Sequence, residues 1–433
     1  MSSNPADVSR SGFDRFSRLK ALQPRTHLPK PEPKEEFIEP QLSPERSSGA
    51  GLLTELLKAT VSCNQHGEHL SVITSFGGYA PRTPDSSALH LLLPNAPSEV
   101  GDPSQWLFLD TETTGLSGGT GTYPFLVGLA WWEGGGLKVE QLFMREHSEE
   151  RSMLARVAEH LTKRPVLVTF NGKSFDWPLL ETRFRMTRTI APPPLRAHLD
   201  FLHPARNLWR LRLGSVKLSH LERHVLDWDR GEDLLSSEIP RIYLDFVRSG
   251  IAEPLLPVFH HNQMDMRGLA GLADRILSIL SDEKGMIEDG MELYGLSRIC
   301  ERRGQSERAR KIYEQSIGTV LPKETDRAAR AALARLAKRD GDFERARELW
   351  ESLLGNSREG YEAYEQLAIY YEHEVRNFEQ ALAITREALA QLRRAHKVGM
   401  IAASSFRRNK LNFEHRRSRL EGKAERPPDL FSQ

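Results

Sequence analysis

Trp106-Leu107-Phe108-Leu109-Asp110-Thr111-Glu112-Thr113-Thr114-Gly115-Leu116 joins an apolar, β-prone run to two carboxylates spaced two residues apart. Alternate residues of a strand point the same way, so Asp110 and Glu112 project from one face and can converge on a hard cation. A lone Asp-x-Glu at a strand end is ordinarily a solvated pair. This pair gains weight because two further acidic motifs follow it in the chain.

Outward from this strand the chain reads as mixed α/β. Apolar, β-prone runs are expected to form strands at 106–110, 125–132, 137–144, 166–170 and 197–201. Helical periodicity follows at 149–161, 176–185, 217–225, 239–247 and 261–280. The first three strands are punctuated by Gly118-Gly119 and Gly134-Gly135-Gly136, which suits an antiparallel meander, and the later strands alternate with helices. That order predicts an α/β ribonuclease-H-like fold, a mixed sheet with flanking helices, over 105–282.

Beyond 285 strand signals cease and a helical pattern recurs every 34 to 37 residues. Gly304, Ala309 and Tyr313, then Gly341, Ala346 and Trp350, then Asn377, Ala381 and Thr385 fall in equivalent places. The pattern resembles tetratricopeptide hairpins, so an all-α tetratricopeptide-like repeat domain is expected over 285–396. Three repeats are near the minimum for a stable stack. A basic tail follows at 397–433, with Phe406 and Phe413 set among Arg407, Arg408, Lys410, Arg416, Arg417 and Arg419.

On the amino-terminal side, residues 1–50 are rich in Pro, Ser and charge, as in Pro29-Lys30-Pro31-Glu32-Pro33, and read as a disordered arm. Phe13, Phe16, Leu19 and Leu22 in that arm fall at helical spacing. Residues 51–104 read as an extension packing on the α/β domain, with a short helix at 51–59 and a strand at 70–75.

At 433 residues the chain exceeds one ordinary core, and two domains with tails are expected. A formal net charge of +1 leaves nucleic acid binding to be decided by local patches. Two cysteines far apart, Cys63 and Cys300, argue for a reducing compartment. Cys63, His66 and His69 have zinc-like spacing without a fourth ligand. No run approaches the roughly 20 apolar residues of a membrane span, and the first thirty residues lack the apolar core of a signal peptide. A cytoplasmic protein is expected, with no membrane association.

The second acidic motif is Val168-Thr169-Phe170-Asn171-Gly172-Lys173-Ser174-Phe175-Asp176, a strand end, a glycine turn and an acid at a helix start. Asp is favoured there as a cap, which does not exclude a metal role. The third is His260-His261-Asn262-Gln263-Met264-Asp265, running into a helix; a spacing of four puts His261 and Asp265 on one face.

Four carboxylates in the order Asp-x-Glu, Asp, Asp, with a histidine before the last, resemble the DEDD superfamily of 3′-to-5′ exonucleases. More narrowly, the first motif with Gly118-Gly119-Thr120-Gly121, then Asn171-Gly172-Lys173-Ser174-Phe175-Asp176 and His261-Asn262-Gln263-Met264-Asp265, are similar to the YprB-type ribonuclease-H-like domain. His198-Leu199-Asp200 and Leu218-Ser219-His220-Leu221-Glu222 are also similar to that family, and the resemblance spans residues 106–282. It implies a fold often followed by helical repeats.

Phosphodiester hydrolysis needs an activated water and stabilised charge on both the attacking and the leaving oxygen. Two divalent ions roughly 3.5–4 Å apart supply both. Magnesium and manganese prefer oxygen ligands, so the implied cofactor is a two-metal site of Mg2+ or Mn2+ held by Asp110, Glu112, Asp176 and Asp265. The resemblance makes a histidine the general base. His260 and His261 offer one in each superfamily register; helix geometry and the His-Asn-x-x-Asp wording favour His261.

Nucleic acid, DNA or RNA, is the implied partner. Thr113 and Gly115 lie where superfamily members hold the terminal nucleotide, and Asn171 and Lys173 lie in the second motif. His203-Pro204-Ala205-Arg206-Asn207-Leu208-Trp209-Arg210 interleaves Arg with Trp, which suits phosphate contact and base stacking by Arg206, Trp209 and Arg210; a solvated amphipathic loop explains the same pattern. The expected function is a metal-dependent nuclease, a 3′-to-5′ exonuclease on single strands, with the repeats recruiting a protein partner. The alternative is a non-catalytic nucleic-acid-binding or adaptor protein acting through those repeats.

Overall fold

The run at 106–110 continues through both carboxylates as one strand. In a computed structural model, residues 51–78, 81–115, 121–231, 233–281, 287, 289–355 and 357–424 are described. The arm at 1–50, the glycines at 118–119 and the last nine residues lie outside them. β1 (Thr60–Asn64), β2 (Gly67–Gly77), β3 (Trp106–Thr113), β4 (Pro124–Glu133), β5 (Gly136–Phe143), β6 (Val166–Thr169) and β7 (Ala197–Asp200) form one sheet in the order β1-β2-β5-β4-β3-β6-β7. Neighbours from β1 through β3 pair antiparallel, and β6 pairs parallel with both β3 and β7. Gly134 and Gly135 take φ of +63° and +76°, the left-handed pair that a two-residue hairpin turn requires. This is the mixed sheet expected of a ribonuclease-H-like fold.

Strand alternation divides the core. Leu107, Leu109, Leu129 and Leu167 pack with α2 (Glu150–Lys163) and α3 (Asp176–Thr187), while Phe108, Ala130, Val139 and Val168 pack with α7 (Leu256–Leu280). Between them come α4 (Leu202–Leu213), α5 (Leu218–Val225) and α6 (Ile239–Ser249), with α1 (Ser86–Leu92) ahead of β3. No helix among the described residues is long and apolar enough to cross a membrane.

Three local expectations are corrected. The extension supplies two strands, β1 and β2, which add to the sheet through β5. β1 was illegible because Thr-Val-Ser-Cys-Asn is short, largely exposed and lacks apolar alternation. Cys63 pairs with Glu68 and His69 with Ser62, so the cysteine and His69 face opposite sides of that hairpin. The loop reading of 203–212 gives way to α4, whose Leu202, Ala205, Leu208 and Trp209 form a buried helical stripe. α7 starts at Leu256, earlier than 261, with Pro257 in its first turn where a missing N–H costs nothing.

The rest is helical: α8 (Gly290–Arg302), α9 (Ser306–Ile317), α10 (Lys323–Arg339), α11 (Phe343–Leu353), α12 (Arg358–His373), α13 (Phe378–Lys397) and α14 (Ala403–Ala424). Gly304 and Gly341 turn the chain between paired helices with φ of +74° and +80°, and Asn377 does so by accepting the Gln380 N–H. Ala309, Ala346 and Ala381 are fully buried at the helix crossings. Within the stretch read as a basic tail, α14 is tied to α12 by Arg416, Arg419 and Lys423, which all reach the buried Glu372.

Glu140 on β5, a strand inside the sheet, anchors it to α2. Burial pushes its carboxyl up, but hydrogen bonds from His160 (2.7 Å) and Arg156 (3.0 Å) outweigh that and hold it down to about 2. A depressed acid contributes stability that is complete above the ordinary carboxylate range and is lost as pH falls toward 2. Glu140→Gln should therefore cost about 3 kcal/mol near neutrality. Urea melts at stepped pH should show the deficit shrinking as pH falls from about 4.5 to 2.

Candidate active site

β3 delivers Asp110 and Glu112 on one face at the point where its pairing with β4 shifts register, after Glu112. Asp110 lies opposite Gly128 of β4, and Gly128 opposite Gln141 of β5. The fully buried Asn262 of α7 lies over this row. Its Oδ1 accepts from Gln141 Nε2 (3.0 Å), which leaves Nδ2 to donate to Asp110 Oδ2 (3.1 Å). Gln141 also donates to the Phe259 carbonyl (2.8 Å), fixing the helix to the strand. A Cβ on Gly128 would stand 2.5 Å from the Asn262 side chain, so the close approach needs glycine.

Asp176 enters from the first turn of α3, where the helix dipole favours an anion. Thr111, between the two strand acids, donates to its Oδ1 (2.6 Å). Asp265 lies one turn beyond His261 on α7 and accepts from Arg230 Nη2 at 2.5 Å. Arg230 also holds Glu222 of α5 and Asp233, so it clamps Asp265 from outside. Burial works against that guanidinium's charge, but Glu222 and Asp265 keep it ionised.

The four acids share one desolvated space. Burial raises Asp110 well above the ordinary range, and the charges of Asp176, Asp265 and Glu112 raise it further. Glu112 is likewise pushed well up by burial, then by Asp265, Asp176 and Asp233. Burial also raises Asp176 against the Thr111 hydrogen bond. Buried carboxylates that lift one another want a cation between them. Glu112, His261 and Asp265 can each aim one ligand atom within 4.8 Å of the others. An oxygen-rich donor set of this kind fits a hard divalent ion.

His261 and His260 part company here. His261 Nδ1 sits 2.6 Å from Asp233 Oδ1, and its Nε2 faces Asp265 (3.5 Å) and Glu112 (3.9 Å). Burial opposes it, but the His261 hydrogen bond holds Asp233 below the ordinary carboxylate range. His260 is exposed on the other side of the helix. Asn262, Arg230 and Asp233 went unassigned in the sequence; the His-Asn-x-x-Asp wording contained the first, and nothing local marked the other two.

Among the residues expected to touch nucleic acid, Thr113 donates to the Gly115 carbonyl (2.7 Å) just past β3. Asn171 takes a left-handed φ of +73°, which Asn tolerates, and its N–H and that of Lys173 donate to Asp200. Lys173, Arg206 and Arg210 are exposed. Trp209 is fully buried and donates to Glu292 Oε1 (2.8 Å), so its ring belongs to the core and is closed to a base.

A family model for the RNase_H superfamily matches residues 107–277. The chain is 32% identical over 284 residues to the protein YprB of Bacillus subtilis strain 168, covering 65% of this chain and 68% of that protein. Among solved structures, a family B DNA polymerase from Pyrobaculum calidifontis matches at 16% identity with a TM-score of 0.32, over 46% of this chain and 29% of its own. A likeness that slight adds nothing to the reading of the site.

An acid raised in the folded state makes the metal-free protein lose stability as pH climbs from the ordinary carboxylate range toward the raised one, because over that window the unfolded form has lost a proton the native form still holds. Asp110→Asn removes that repulsion. Scanning calorimetry at pH 7 without metal should show the variant melting a few degrees above the wild type. Manganese at a hundredfold excess over its dissociation constant should raise the wild type by about 2.7 kcal/mol, several degrees, and the variant by much less.

Proposed function

The chain belongs to the YprB family of the RNase H superfamily, and from that premise we propose that it is a divalent-metal-dependent nuclease, a 3′-to-5′ exonuclease on single-stranded DNA or RNA. The observation that carries the reading is the meeting of Asp110, Glu112, Asp176 and Asp265 in one desolvated place, each of the first three raised above its ordinary range. These four residues would hold Mg2+ or Mn2+. When bound, such a pair of ions activates water and steadies the charge on the attacking and leaving oxygens.

The chain's own contribution is positional and proton-handling. Asn262 and Thr111 fix the rotamers of Asp110 and Asp176, so the cradle is set before substrate arrives. Asp233 accepts a hydrogen bond from the Nδ1–H of His261, which leaves the Nε2 lone pair turned toward Glu112 and Asp265. In that tautomer His261 can accept a proton from water at Nε2. Lys173, Arg206 and Arg210 lie exposed to meet phosphates.

A second reading draws on Arg230. Its guanidinium already neutralises Asp265, as it would in a protein that keeps the fold to bind nucleic acid without cutting it. Manganese calorimetry separates the two, since only the nuclease needs the cation.

The test is a cleavage assay on 5′-labelled DNA and RNA strands with Mn2+ or Mg2+. A ladder shortening from the 3′ end is expected, with Asp110→Ala and Asp265→Asn reduced to background. Unchanged cutting by Asp110→Ala would refute the assignment. His261→Ala should lose about 10²- to 10⁴-fold. Asp233→Asn, which spoils the tautomer and not the ligands, should lower kcat with little change in KM.

A further inference from the structure

At the C-terminal ends of β6 and β7, beside the carboxylate cluster, the surface opens into a cleft of about 550 Å³. Its walls come from three parts of the chain. Lys173 stands on the β6–α3 loop, His203 and Arg206 on α4, and Arg302 and Arg303 at the end of α8, with Leu91 and Leu92 below. The cleft is thus a seam between the α/β layer and the first helix of the helical region.

Its charge is one-sided. Among the described residues, Lys173, Arg206, Arg302 and Arg303 have no carboxylate within ion-pair distance. Arg302 donates to Asn207 Oδ1 (2.8 Å), and Arg303 to the carbonyls of Leu91 (2.9 Å) and Leu92 (3.0 Å). Those neutral acceptors hold the guanidinium planes in place and leave their charge uncompensated. The one acid on the wall, Asp200, already accepts from the backbone N–H groups of Asn171, Lys173 and Leu202. Some arginines elsewhere in the helical region are paired, as Arg330 with Asp326 (2.8 Å) and Arg347 with Glu351 (2.8 Å). In a chain of net charge +1, four unpaired cations around one cleft are a local excess.

The ligand is named by where the cleft leads. Lys173 is three residues from Asp176, a reach of at most about 11 Å, so the Lys173 end of the cleft lies near an acid of the cluster. No Phe, Tyr or Trp lines it, its only rings being the imidazoles of His198 and His203, so cations suited to spaced anions dominate its walls. We propose that this cleft is a phosphate track: a single nucleic acid strand leaving the carboxylate cluster passes Lys173 and lies between α4 and α8, held through its backbone by Arg206, Arg302 and Arg303. The path rests on the nuclease reading of the cluster, and it gives the helical region a share in holding substrate, independent of base sequence.

The test is fluorescence anisotropy of the full-length protein in chelator, where nothing is cut. The probes are labelled single-stranded DNA, the matching RNA and a dinucleotide, each across a salt series. The long strands should bind at least tenfold tighter than the dinucleotide. The double variant Arg206→Glu/Arg302→Glu should weaken them by roughly tenfold or more and flatten the slope of log affinity against log salt by about 1.4, two phosphate contacts at about 0.7 each. Arg206→Gln/Arg302→Gln, which keeps neutral hydrogen-bonding groups, carries the measurement where the charge reversal fails to fold, as judged by its melting curve. Wild-type affinity and slope in the folded variants would overturn the track, as would a polyglutamate chain that competes as well as the strand. A cleavage assay with manganese keeps the two claims apart. A wild type that binds through the cleft and cuts nothing removes the catalytic reading and leaves the track; one that cuts while both variants bind as it does removes the track and leaves the catalysis.

Discussion

Carboxylates desolvated together repel one another, and the structure around the end of β3 is arranged to hold that repulsion in place. Left to themselves, the four acids would relieve it by rotating apart or, for Asp110, Glu112 and Asp176, by taking up protons. Neutral donors prevent the first for two of them: Asn262 holds Asp110 and Thr111 holds Asp176. Asp265 is held by a cation, Arg230, itself braced against Glu222. Glu112 accepts no hydrogen bond among the described residues, and His261 Nε2 stands 3.9 Å from it. The site is thus stiff on three sides and electrostatically incomplete in the middle.

That stiffness depends on two glycines that put polar groups where a side chain would otherwise stand. Gly128 lets Asn262 lie on the sheet, and at Gly268 a Cβ would fall 1.5 Å from Glu222 Oε1, so α5 can press its carboxylate against α7. A Cβ at the first would displace the amide that holds Asp110, and at the second the carboxylate that braces Arg230, which holds Asp265. The price of the arrangement is three raised acids, which a divalent cation is suited to offset.

How much of this was legible follows from chain distance. Asp110 and Glu112 share a strand face, and His261 and Asp265 share a helix face, so period alone brings each pair together. The choice between His260 and His261 turned on where the helix begins: with α7 starting at Leu256, only one of two adjacent histidines can face the sheet. Arg230 and Asp233 act across 28 to 35 residues of chain from the irregular stretch between α5 and α6, and no local pattern announces such contacts. Trp209 was misread for the opposite reason. Its local signal, Arg and Trp interleaved, was real, but Leu202, Ala205, Leu208 and Trp209 repeat at three and four residues, the spacing of a buried helical stripe.

The burial of Trp209 ties the helical region to the site. Its indole donates to Glu292 on α8, and at Gly295 of the same helix a Cβ would lie 2.4 Å from the Asn207 carbonyl, so α4 and α8 meet backbone to backbone. Two helices that close cannot slide without losing both contacts, and α4 begins two residues after Asp200, whose carboxylate fixes the β6–α3 loop that leads to Asp176. A displacement of the helical pairs would therefore pass through α4 to the loop that seats a proposed metal ligand. The residue that seemed fitted to grip a base instead sets where the helical region stands relative to the carboxylates, while Arg206 and Arg210 of the same helix stay exposed.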